Sequence, residues 1–126
     1  MPVVTTGEPH PAWRLWVQRL STRTEASDDA VVEHLMAVQA EQHEHTAWAV
    51  ATRTAEPDRA RFDRSYDDGT FVRTHVLRPT WHLVPARDVV WLQETTAPRV
   101  RRTYLQQLDP HGLGADDVDR AMATIE

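Results

Sequence analysis

Apolar side chains recur at helical spacing along most of the chain and lose that period in one central stretch. Trp13, Trp16, Val17 and Leu20 stand at i, i+3, i+4 and i+7, which predicts an amphipathic helix over Pro11–Leu20. Ser27 has the character of an N-cap, and Asp28 and Asp29 follow it where carboxylates favour the positive end of a helix dipole. The helix they open turns Val31, Leu35 and Val38 inward and is expected to run to about Gln39. A third helix, about Glu44–Thr52, places Ala47, Trp48 and Ala51 on one face. Pro57 suits a first helical turn, and the helix after it carries Phe62 and Tyr66 four apart until Gly69 stops it beyond Asp68.

The period then changes. Thr70–Leu77 and Thr80–Val84 are rich in β-branched and aromatic residues, are separated by Arg78-Pro79, and predict a β-hairpin. Helical spacing resumes at Pro85 with Val89 and Leu92, restarts at Thr96-Ala97-Pro98 with Val100, Tyr104 and Leu108, and returns after His111–Gly114 with Val118, Met122 and Ile125. Three helices followed by a hairpin are the order of a winged helix, a helix-turn-helix variant. The predicted class is α+β, mostly α. It comprises an N-terminal segment (1–26) with one amphipathic helix, a winged-helix unit (27–85), and a helical stretch (86–126) expected to open a second, shortened winged-helix unit.

Composition narrows the class. At 126 residues the chain has the size of one domain, or of one and the start of another. It has no Cys, which excludes disulfide scaffolds, thiolate metal sites and a Cys nucleophile. No apolar run approaches the roughly 20 residues of a membrane span, so a cytoplasmic globular protein is expected.

Charge is uneven. The net formal charge is −5, and every one of the 14 basic residues is Arg. Residues 24–69 hold four Arg against eleven acids, whereas residues 70–105 hold six Arg against Asp88 and Glu94. Phosphate contacts are therefore sought among Arg73, Arg78 and Arg87, or Arg99, Arg101 and Arg102, with His75 and His82 as neutral donors. The helix before the hairpin is nearly balanced, with three Arg against four Asp.

The densest polar cluster is Gln39-Ala40-Glu41-Gln42-His43-Glu44-His45. Its two His are two residues apart and diverge on helix or strand alike, and no HExxH spacing exists, so no metal site is expected. His34 reads as a boundary residue, and His75 and His82 stand in opposing strands where a structural hydrogen bond is the plainer role. The four Gly are scattered and form no phosphate loop, and no nucleophile elbow is present.

The wording of several segments resembles a bacterial family of winged-helix DNA-binding proteins that includes the AlkZ/YcaQ-type DNA glycosylases. The resemblance rests on Leu35-Met36-Ala37-Val38-Gln39-Ala40-Glu41, on Trp48-Ala49-Val50 with Arg53, and above all on Phe71 through Pro85. Trp91-Leu92 and Thr95 to Val100 match as well. It implies a member of a family whose proteins are longer arrays of winged-helix units and which excise alkylated bases, including those in interstrand crosslinks. The glycosylase motif, Gln–apolar–Gln or Gln–apolar–Asp, falls on Gln39, Ala40 and Glu41, with Glu41 departing from Gln and Pro79 standing where glycosylases tend to have Gly.

By that resemblance Gln39 and Glu41 are the catalytic candidates. Arg53, Arg73, His75, Arg78, Thr80 and His82 are the candidates for contact with double-stranded DNA, alkylated or crosslinked. An enzyme of this kind is a metal-independent monofunctional glycosylase without a cofactor. An N7- or N3-alkylated purine already carries positive charge and leaves without a general acid, so a carboxylate and an amide beside the sugar suffice. The alternatives are a non-enzymatic winged-helix DNA-binding or regulatory module, and a winged helix used for protein contacts.

Overall fold

The computed structural model describes residues 11–23 and 27–125, so residues 1–10 and 24–26 of the N-terminal segment lie outside the described residues. Helix α1 (Pro11–Val17) opens on its proline and buries none of its residues. Helix α2 (Asp28–Leu35) begins where Ser27 Oγ accepts the Ala30 N–H at 3.2 Å.

That helix does not reach Gln39. Met36 takes φ +63, its N–H turns back to the Glu33 carbonyl, and the chain leaves as a short strand, β1 (Val38–Gln39). Val38 is buried in either conformation, so its spacing from Val31 and Leu35 did not discriminate between them. A partner more than forty residues away decides the matter.

Helix α3 (His43–Ala51) buries Thr46, Ala47 and Val50. The expected inward face was one residue out of register, for Trp48 is 72% exposed. Helix α4 (Arg59–Asp67) is capped by Asp58, whose Oδ1 accepts the Arg61 N–H at 3.1 Å, so Pro57 stands ahead of the helix rather than in it. Gly69 at φ +79 releases the chain into β2 (Phe71–His75), which turns back through Val76–Thr80 into β3 (Trp81–Pro85).

The sheet is antiparallel in the order β1-β3-β2. Val38 faces Leu83, Gln39 faces His82, and the hairpin pairs Phe71 with Pro85 through His75 with Trp81. Helix, strand, two helices and a hairpin, with the first strand beside the last, make an α+β, mostly α fold with winged-helix connectivity. One core joins α2, α3, α4 and the sheet through residues such as Val31, Val50, Phe62, Phe71 and Leu83. A second lies among Val76, Val84 and Leu92.

A polar tie crosses the bundle. Asp28 is 2% exposed, and its carboxylate accepts the Thr54 hydroxyl at 3.0 Å and the Arg61 Nε–H at 3.2 Å. The start of α2, the α3–α4 connection and α4 are thereby joined, and a buried carboxylate is satisfied where it would otherwise be costly.

Beyond the sheet a 3-10 turn (Ala86–Asp88) leads into α5 (Val89–Leu108), one helix of 20 residues where two were expected. Pro98 sits inside it. The missing N–H costs one ladder bond, but ending the helix there would separate Leu92 and Val100, both buried on it. Thr96 reinforces the stretch just before, donating to the Leu92 carbonyl at 2.7 Å and accepting the Leu77 N–H at 3.2 Å. A second 3-10 turn (Asp109–His111) and Gly112 at φ +71 lead to α6 (Ala115–Ile125), on which Met122 and Ile125 are exposed. No helix among the described residues is long and apolar enough to cross a membrane.

Continuity of α5 has a direct check. Pro98→Ala restores a helical N–H without removing a contact of a buried side chain and is expected to stabilise the protein by about 1–2 kcal/mol. Urea melts of the two forms measure it, and a loss of stability would contradict an unbroken helix.

Candidate active site

The chain runs on from β1 through Ala40 and bends at Glu41. Ala40 is buried, while Gln39 and Glu41 on either side of it are exposed. Two-residue alternation puts these two on one side and the methyl group of Ala40 on the other. The small apolar residue between two polar ones therefore anchors the segment in the core.

Four further hydrogen bonds hold it. The Ala40 N–H donates to the Trp81 carbonyl at 2.8 Å, extending the β1–β3 ladder by one bond. The Trp81 N–H donates in return to Glu41 Oε1 at 3.2 Å, so a side chain completes the ladder where the backbone has turned away. Arg73 then reaches over from β2, with Nε–H on the Ala40 carbonyl at 2.7 Å and a terminal N–H on the Glu41 carbonyl at 3.1 Å. Its guanidinium carbon lies 4.2 Å from the centre of the Trp81 ring. Two adjacent carbonyls and an indole face are met by one planar fork, which an ammonium cannot reproduce.

Gln39, Glu41, Gln42, His45, Thr46 and Trp48 line an open groove of about 600 Å³. Behind it, Arg59 donates to both Glu44 and Asp63. The Arg59 guanidinium holds both carboxyls below their usual range, and they raise its own pKa in turn. His43 Nε2 lies 3.2 Å from Asp63, and its ring meets Tyr66 edge-on at 5.0 Å. His45 is not part of that set, and among the described residues no group of three His, Asp or Glu is placed to hold a metal.

The DNA-contact candidates fall into two places. Arg53 follows α3 and donates to the carbonyls of Gln18 and Ala49 at 2.9 and 2.5 Å, stapling the tail of α1 to α3 while burial lowers its pKa. It also lines a small groove with Gln39. The other five stand on the hairpin. Arg73 is engaged as described, and His75 stacks on Trp81 at 4.0 Å while lying 3.0 Å from the Tyr104 hydroxyl. His82 is buried, and its Nδ1–H donates to the Thr80 carbonyl at 2.9 Å. The facing pairs are Thr74 with His82 and His75 with Trp81, so the two His point to opposite sides of the sheet. Thr80 Oγ1 is enclosed without a partner among the described residues. Arg78 is exposed at the turn, and its side chain has no hydrogen bond or ion pair among the described residues.

Residues 32–126 match the model of a family described as DNA glycosylase AlkZ-like. This chain belongs to that family. Over 73 residues it is 38% identical to an interstrand DNA cross-link repair glycosylase of Streptomyces sahachiroi, a stretch covering 58% of this chain and 20% of that protein. Its fold matches the solved structure of Streptomyces sahachiroi DNA glycosylase AlkZ with a TM-score of 0.72 and 28% identity, covering 90% of this chain and 31% of that one. The chain thus spans a fifth of the curated relative and less than a third of the solved one.

The family wording named Gln39 and Glu41 as candidates and carried no signal of what holds them. That Arg73 serves the carbonyls of residues 40 and 41 follows from the β1–β3 pairing, which carried no local signal. Trp48 was assigned to the interior and lies in the groove.

His82 gives the region a pH signature. Burial lowers its pKa below the ordinary 6.5, with Arg78 pushing the same way and the Thr80 carbonyl opposing. The unfolded chain takes up that proton below about pH 6.5 and the native state does not, so stability falls as pH drops through that range. His82→Asn, which keeps an N–H for Thr80, is expected to flatten stability between about pH 7 and pH 5 in denaturant melts. Retention of the full slope would mean that His82 titrates freely.

Proposed function

We propose that this chain carries the base-excising residues of an AlkZ-type DNA glycosylase, hydrolysing the N-glycosidic bond of alkylated purines in double-stranded DNA in the cytoplasm. The observation that carries the reading is the pairing of an exposed amide (Gln39) and an exposed carboxylate (Glu41) on one open groove, with the backbone between them tied to β2 and β3. Family membership supports it, as does the position of these two residues on the family's motif.

The chemistry is economical. In an N7- or N3-alkylated purine the bond between C1′ and the ring nitrogen breaks with its electron pair passing to the base, which leaves neutral. Positive charge moves onto the sugar, where the Glu41 carboxylate stabilises it. One Glu41 oxygen is already held by the Trp81 N–H, so the carboxylate is oriented before substrate arrives. Gln39 positions a water, the water oxygen bonds to C1′, and its proton passes to Glu41. A damaged base that pairs weakly is also the least costly to expose.

The backbone grip is assigned to the hairpin. Arg78 at its turn is free to meet a phosphate, whereas Arg73 and Arg53 act by holding the protein's own carbonyls. The acid excess of residues 24–69 is partly absorbed in contacts within the fold, with Asp28 on Arg61, Glu44 and Asp63 on Arg59, and Glu33 on Arg87.

The test is release of base from duplex DNA containing N7-methylguanine by the full-length natural protein, read as abasic sites. Gln39→Ala and Glu41→Ala are each expected to slow release by about a hundredfold or more. No release by the unaltered protein, or equal release by both variants, would sink the reading. Arg78→Ala is expected to weaken duplex binding and reduce the slope of log affinity against log salt by about one. An unchanged slope would remove Arg78 from the interface.

A further inference from the structure

Trp48 is the most exposed of the tryptophans among the described residues, and the only one of the large apolar side chains on α3 that faces out. Trp81 stacks with His75 and Arg73, Trp16 lies under Arg19, and Trp91 donates its indole N–H to Asp88. Trp48, like Trp13 on α1, makes no such contact among the described residues. A lone exposed aromatic is ordinary on a protein surface. This one forms, with His45 one helical turn earlier, the ridge between two grooves. One of them is the groove that holds Gln39 and Glu41.

The lining of that groove is selective in charge. It contains the Glu41 carboxylate, the amides of Gln39 and Gln42, the His45 imidazole and the Thr46 hydroxyl, and no Arg. A phosphate finds no guanidinium there, whereas a flat positive ring finds an aromatic face and an anion together. Stacking on an indole is open to every base, but attraction of a cation to the π face is confined to a charged one. We propose that Trp48 is the platform on which the exposed base stacks, and that together with Glu41 it selects cationic alkylpurines over neutral purines. This assignment rests on the glycosylase reading above for the orientation of the sugar toward Gln39 and Glu41. Trp48 is a specificity residue in this scheme and takes no part in proton transfer.

Binding separates this role from catalysis. The probe is a duplex bearing one N7-methylguanine on a 2′-fluoro sugar, which resists cleavage, compared with the same duplex unmodified. The full-length protein is expected to prefer the methylated duplex. Trp48→Leu, which keeps apolar bulk without a π face, is expected to reduce that preference by about tenfold while leaving affinity for the unmodified duplex within about twofold. Trp48→Phe should retain most of the preference, and both variants should melt with the unaltered protein because the side chain is exposed. No preference in the unaltered protein, full preference in Trp48→Leu, or equal weakening on both duplexes overturns the proposal. Loss of base release in Gln39→Ala with the Trp48-dependent preference intact supports both assignments. Preference without any base release by the unaltered protein supports the stacking role and removes the glycosylase reading alone.

Discussion

The pairing of two residues, Val38 and Gln39, against Leu83 and His82 is the interaction on which the rest depends. It is short, and in isolation it would not hold. It persists because β3 is already fixed by five pairs with β2, and because Val38 and Leu83 both enter the first core. With that register set, Ala40 points inward, Gln39 and Glu41 point outward, and the Trp81 N–H and carbonyl are both used. A slip of one residue would bury the polar pair and expose the alanine.

The strand β3 belongs to both halves of the molecule. Leu83 contributes to the core under α2, α3 and α4, and Val84 to the one under α5. Consecutive residues of one strand, facing opposite sides, therefore join the two, and the position of α5 is referred to the same frame as the candidate site. Thr96 adds a polar link, since it receives the N–H of Leu77 at the mouth of the hairpin turn.

What the sequence disclosed follows from the range of the forces involved. Ser27, Asp58 and Gly69 act within a few residues, and caps and stops of this kind are legible; Asp58 was passed over only because Pro57 beside it offered a competing start. The hairpin announced itself by composition. β1 did not, because two residues make no period and their partner is distant. Trp48 was turned inward by its hydrophobicity, although Thr46, Ala47 and Val50 already make up the buried face of α3. Pro98 was read as a boundary by its usual local cost, and packing on both sides of it overrode that cost. Gln39 and Glu41 came from the wording of a family motif; nothing in their spacing distinguished them from a solvated connection.

Arg73 makes the hairpin and the Gln39–Glu41 segment mechanically one piece. Its stem rises from β2, its fork grips two carbonyls across β3, and its flat face rests on the indole of Trp81. Whatever seizes the hairpin tip at Arg78 pulls on a lever whose other arm ends at the amide and the carboxylate. On the reading proposed above, grip and alignment are then a single event, and a duplex held off-axis would leave Gln39 and Glu41 off-axis with it.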